Sequence, residues 1–154
     1  MRTMLLSIKP SVYEKIKDGY KIFEHRRSFP NEPIKAYMYV SSPVYAITGI
    51  LYTGKRHRLS DWRNEYCYDS KAVERISEYE KHYRFAMEIK EFQETNRIPL
   101  QELRDKLQKF IVPQMYYYLD GTELLTFLEE RIIYGETRIV HDFSDIESVQ
   151  LCQN

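Results

Sequence analysis

The sequence predicts an α+β domain built on a curved sheet or small β-barrel with flanking helices. Five or six short stretches alternate apolar and polar residues at strand period, and helical stripes fall between them without the regular alternation of a doubly wound sheet. No internal repeat, low-complexity segment or linker divides the 154 residues, a length that fits one domain able to bury its own core. The glycine-rich phosphate loop of nucleotide-binding folds is missing as well.

Taken in order, Met4 to Lys9 reads as a strand with Met4, Leu6 and Ile8 inward, ended by Pro10, which cannot donate to a ladder. A short helix follows. Ser11-Val12-Tyr13-Glu14 has capping-box spacing, Val12 and Ile16 form the buried stripe, and Gly19 supplies the left-handed residue that ends the helix. The chain then reverses into an extended run, Tyr20 to Arg27. Period two sets Ile22, Glu24 and Arg26 on one face and Lys21, Phe23, His25 and Arg27 on the other. Pro30 and Pro33 mark a loop, and Ile34, Ala36, Met38 and Val40 alternate as the clearest strand.

Ser41-Ser42-Pro43 is a turn or edge, and Tyr45 to Tyr52 is extended, with Gly49 where a bulge or close backbone approach would need a missing side chain. Lys55-Arg56-His57-Arg58 is the densest basic run, a solvated loop or a nucleic-acid contact. Ser60 caps a short helix holding Trp62. Asp69 or Ser70 caps the next, with Ala72, Ile76, Tyr79 and Tyr83 inward and Glu74, Glu78 and Glu80 outward. Phe85, Met87 and Ile89 form a strand, and Pro99 opens a helix with the stripe Leu100, Leu103, Leu107, Phe110, stopped at Val112-Pro113-Gln114. Met115 to Leu119 is extended. Asp120 or Thr122 caps a last helix through Leu124, Leu125, Leu128 and Ile132, and Thr137 to Val140 adds a strand. Residues 1–133 make the domain; 134–154 form a C-terminal extension that ends in a loose, acidic tail from Asp142.

Charge and composition narrow the function classes. Lys+Arg and Asp+Glu are both 23, so a purely electrostatic nucleic-acid binder is excluded and any basic surface is local. Fourteen tyrosines supply rings that can lie half in a core and half in a groove. Cys67 and Cys152 are far apart and read as free thiols, and the four histidines, His25, His57, His82 and His141, lack metal-ligand spacing. No metal or other cofactor is expected. No signal peptide or apolar run of membrane-spanning length occurs, so a cytoplasmic protein without a membrane partner is expected.

The glycine turn and the strand after it hold an acid among bases, and Gly19-Tyr20-Lys21-Ile22-Phe23-Glu24-His25-Arg26 resembles the Gly-x-Lys-x-x-Glu-x-Arg signature of ASCH (activating signal cointegrator homology) domains of the PUA-like superfamily. Leu6 to Pro10, Ser41-Ser42-Pro43-Val44 leading to Gly49, and Pro113 to Leu119 resemble stretches of small bacterial and archaeal single-domain members, roughly residues 4 to 119 in all. The resemblance implies a PUA-like barrel with a cleft where the signature residues meet, and binding of RNA in RNA metabolism or transcription regulation. One branch of the family removes the acetyl group of N4-acetylcytidine with the signature lysine, a further glutamate, and a threonine where this chain has Glu24; another relative is a ribonuclease.

Three kinds of site fit these residues. As a binding site, Lys9, Lys21, Arg26 and Arg27 meet phosphate oxygens, Ser42 adds a hydroxyl, Tyr117 or a neighbouring tyrosine stacks on a base, and Glu24 positions Arg26 or accepts from a base amine. As a metal-independent hydrolase site, Glu24 activates water and Lys21 or Arg26 stabilises an oxyanion. That requires Lys21 to lie in the turn after Gly19, because on a regular strand it faces away from Glu24. Ser41 and Ser42, the only hydroxyls weighed as nucleophiles, read as turn residues. As a regulatory module, the chain binds a protein partner through Tyr116 to Tyr118. Against all three stands a structural ion pair between Glu24 and Arg26 that fixes strand register.

Overall fold

The computed structural model describes residues 1–153. Seven strands, β1 (Arg2–Ile8), β2 (Phe23–Arg26), β3 (Ile34–Val40), β4 (Ala46–Arg58), β5 (Phe85–Pro99), β6 (Tyr116–Tyr118) and β7 (Tyr134–Val140), form one strongly curled half-barrel sheet. Five helices flank it: α1 (Pro10–Lys17), α2 (Leu59–Glu65), α3 (Ser70–Glu80), α4 (Leu100–Lys106) and α5 (Glu123–Arg131). The strand order is β2-β5-β4-β3-β1-β6, and β7 pairs with β5. Among these pairs only β1 with β3 is parallel.

The curl comes from β4 and β5, whose pairing shifts register at Ile47/Gly49, Tyr52/Thr53 and Thr53/Arg56. Each shift inserts extra residues that increase the local twist. Gly49 marks a close approach within it: a Cβ there would lie 2.7 Å from the ring of Phe92. The curled face encloses Met4, Leu6, Ile8, Tyr13, Ile16, Met38 and Phe92. On the opposite face, Leu5, Tyr37, Tyr39, Ile47 and Ile50 meet Leu103 and Leu128 of α4 and α5. β1 is therefore buried on both faces, which its nearly continuous apolar run reflects.

Several elements differ from expectation. α1 starts at Pro10 with Lys9 as its N-cap and no side-chain cap, because proline's fixed φ suits the first helical position and takes Ser11 inside the helix. Its buried residues are Tyr13 and Ile16, with Val12 only partly covered. α2 starts before Ser60, at Leu59. The basic run 55–58 is the end of β4, not a loop, since β5 extends back to Phe85 and gives it a ladder partner. Tyr83 lies past the end of α3, and Phe110 past the end of α4. No helix among the described residues is long and apolar enough to cross a membrane.

The residues after 133, expected as a partly loose extension, are built into the fold. β4 occupies one edge of β5 along its length; on the other edge β2 pairs from Phe85 to Glu88 and β7 from Glu91 to Thr95. Farther on, Leu151 is 0% exposed and joins Phe23, Leu59, Trp62 and Ile76 in a third core cluster. Arg75 of α3 secures this end, donating from Nε to the Leu151 carbonyl at 3.2 Å and from Nη2 to that of Ser148 at 2.9 Å. A mostly polar stretch is thus anchored by two buried side chains, Leu151 and Cys152.

Candidate ligand cleft

Gly19, at φ 83, turns the chain out of α1, and the amide of Lys21 donates to the Lys15 carbonyl at 3.0 Å to close the turn. Lys21 therefore precedes the first paired residue of β2, Phe23, and escapes the strand's alternation. Its Nζ lies 3.8 Å from Glu24 Oε1 and 3.2 Å from His25 Nδ1. With 6% of its surface exposed, the ammonium is desolvated, and burial lowers its pKa despite the opposing pull of Glu24.

Glu24 is 4% exposed and engaged at both oxygens. Oε1 accepts from the amide of His25 at 3.1 Å, and Oε2 accepts from Arg26 Nη2 at 3.0 Å. The same Nη2 donates to the Ser7 carbonyl at 2.8 Å, tying β2 to β1. The ion pair expected from the spacing therefore exists and joins two strands. It also faces open space.

A cleft of about 470 Å³ opens over Glu24, His25 and Arg26, walled by Ser7, Ile8 and Lys9 on one side and His82 and Tyr83 on the other, with Arg27, Ser41 and Gln114 near its rim. Lys9, Glu24, Arg26 and Arg27 thus converge on one cavity. Lys21 lies behind its floor, touching Glu24 and His25. Ser42 is exposed outside the lining, which takes its neighbour Ser41.

Tyr117 does not belong to this site, and the stacking role expected of it fails on geometry. It pairs with Leu5 in the β1–β6 ladder, and period two turns it to the opposite face of the sheet. There its hydroxyl donates to the Ile111 carbonyl at 2.6 Å, beside a separate cavity of about 300 Å³ lined by Leu107 and Leu124. The aromatic of the cleft is Tyr83, 37% exposed, whose ring centroid lies 5.9 Å from that of His25.

His25 was missing from the sequence-derived set. Burial first, and the Lys21 charge second, hold its imidazole well below the usual histidine range. With Nδ1 accepting from the Lys21 ammonium, the ring proton sits on Nε2, a buried atom that has no hydrogen-bond partner. The floor therefore offers an acceptor at Glu24 and the remaining guanidinium donors of Arg26, while His25 Nε2 is covered by the protein itself. Among the described residues no three His, Cys, Asp or Glu side chains are grouped to hold a metal ion.

No protein-family model matches the sequence, and no curated protein does. Solved structures do. The ASCH protein of Zymomonas mobilis matches with a TM-score of 0.65 at 20% identity over 85% of this chain and 96% of that one. A serine-to-alanine variant of it matches with a TM-score of 0.62 at 20% identity, over 83% and 95% of the two chains. A tyrosine-to-phenylalanine variant gives 0.63 at 18% identity, over 88% and 100%. At this level of identity the likeness is one of fold: the chain shares the fold of this ASCH protein.

Proposed function

We propose that the chain is a binding domain for RNA or a modified nucleoside, used in RNA metabolism or transcription regulation. The observation that carries this reading is the cleft itself: one buried, doubly hydrogen-bonded carboxylate surrounded by Lys9, Arg26 and Arg27, with the exposed ring of Tyr83 on one wall. Lys9 and Arg27 at the rim meet phosphate oxygens, and Tyr83 gives a base a stacking face. Glu24 then accepts from an exocyclic amine while Arg26 donates to a neighbouring carbonyl or ring nitrogen. A base edge with a donor beside an acceptor satisfies both groups, which are left short of partners by any wholly apolar ligand. Titration of a single-stranded oligoribonucleotide against wild type and K9A/R27A tests this. Weaker binding by the variant is expected; equal affinity would count against the rim contacts, and no binding by either protein would remove the reading.

The contact of Lys21 with Glu24 favours a second reading, a metal-independent amidohydrolase acting on N4-acylated cytidine-type nucleosides. Lys21 does lie in the turn after Gly19, as that chemistry requires, and its Nζ is 3.8 Å from Glu24 Oε1. Its burial behind the floor weighs on the other side, since an oxyanion in the cleft meets Arg26 before it meets Lys21. In this reading Glu24 takes a proton from water and Arg26 or Lys21 stabilises the oxyanion. E24Q separates the two. Loss of a general base cuts N4-acetylcytidine turnover by about 10²–10⁴-fold, whereas a binder has no turnover to lose and keeps or gains RNA affinity as a repulsive charge disappears.

A further inference from the structure

The end of the sheet next to the cleft carries a cluster of arginines that the cleft does not use. Phe85, the first residue of β5, is flanked in the ladder by Arg26 of β2 and Arg58 of β4. Three guanidinium groups gather around its ring: Arg56 at 4.0 Å from the centroid, and Arg58 and Arg84 at 5.5 Å each. Arg56 is braced, donating from Nη1 to the Phe29 carbonyl at 2.7 Å, while Arg58 and Arg84 are exposed.

Among the described residues no carboxylate comes within 4.0 Å of any of the three. Glu88, farther along β5, is held by His57 at 2.8 Å. In a chain whose charges sum to zero, like charges kept this close without an acid between them repel one another, and the ring beneath offsets this only in part through cation–π attraction. A polyanion supplies the missing counter-charge. The cluster also adjoins the cleft directly: Tyr83 lines the cleft, Arg84 follows it, and the amide of Arg84 donates to the Arg26 carbonyl at 3.2 Å.

We propose that Arg56, Arg58 and Arg84 form a phosphate track, along which a single strand of RNA leaves the cleft over the β2, β5 and β4 ends. This rests on the reading of the cleft as an RNA or nucleoside site, and it makes the ligand a polynucleotide instead of a free nucleoside. Guanidinium groups suit the role because each offers several donors to phosphate oxygens. The ring of Phe85 fixes their positions without competing for those donors.

R58A/R84A tests the track, since both side chains are exposed and neither lines the cleft. Affinities of wild type and variant for a single-stranded octaribonucleotide and for a cytidine mononucleotide are measured at several salt concentrations. For the octamer, the logarithmic salt slope should become shallower by about 1.4, at about 0.7 per lost phosphate contact on a single strand. For the mononucleotide, affinity should not change. An unchanged octamer slope overturns the track and leaves the cleft reading intact, as does a wild type that binds the mononucleotide but no longer RNA. A wild type that binds neither removes both. Competition by polyglutamate as effective as that by RNA would mark a general anion surface and overturn the assignment of RNA.

Discussion

Lys21 Nζ lies 3.2 Å from Nδ1 of His25, so a buried ammonium sets which imidazole nitrogen carries the proton. That relationship gives a residue with no signature role a fixed tautomer in the floor of the cleft. It also fixes a pH dependence. His25 is held below its ordinary value of 6.5 in the folded protein, so the unfolded chain takes up a proton first as the pH falls. This contribution to stability is complete above pH 6.5 and is lost as the pH drops from there toward the folded value. Histidine-detected NMR at pH 6 should show His25 neutral with its proton on Nε2. A proton on Nδ1, or an imidazolium at that pH, would contradict the assignment.

The same burial removes Lys21 from phosphate contact. K21M keeps the length of the side chain and removes its charge, and it should leave the salt slope of RNA binding unchanged. A slope shallower by about 0.7, the value of one contact on a single strand, would show Lys21 reaching a phosphate. The hydrolase reading gives the opposite weight to this residue: there K21M should abolish turnover.

At the C-terminal end, the buried position of Leu151 predicts that L151A destabilises the protein by about 2–5 kcal/mol, the range for a large-to-small change in a core, as read by urea denaturation. Its neighbour gives a chemical probe. Burial pushes the Cys152 thiol up to about 12, while Cys67 is exposed. Thiolate is the reactive form, so a thiol reagent at pH 8 should label Cys67 alone in the folded protein and both cysteines in denaturant. Rapid labelling of both in the folded state, or a near-neutral L151A, would mean that the end of the chain does not pack as described.

How much of this was legible in the sequence depended on range. Local rules identified Gly19 as a left-handed helix end and the alternation of β1 and β3, and they narrowed two caps to Asp69 or Ser70 and Asp120 or Thr122, of which Asp69 and Thr122 serve. They also paired Glu24 with Arg26, which share a strand face. Lys21 defied strand alternation because its turn runs on past Gly19 until Phe23. His25 and Tyr83 became site residues only through tertiary contact between β2 and the segment after α3, which no spacing in either stretch announces. Tyr117 was misplaced for the opposite reason: three consecutive tyrosines carry no sign of which faces the cleft, and the β1 register decides. The tail looked loose because its two anchors, Leu151 and Cys152, are a small apolar signal in a polar segment.

The most direct test of the cleft as an RNA site is the salt dependence of single-stranded RNA binding by the wild-type protein. Lys9, Arg26 and Arg27, with up to two more basic groups nearby, give about three to five phosphate contacts and a logarithmic slope of roughly −2 to −3.5, at about −0.7 per contact. A slope in that range, with modest affinity at physiological salt, is the expected result. No binding at low salt, where counterion release favours association most, would contradict it.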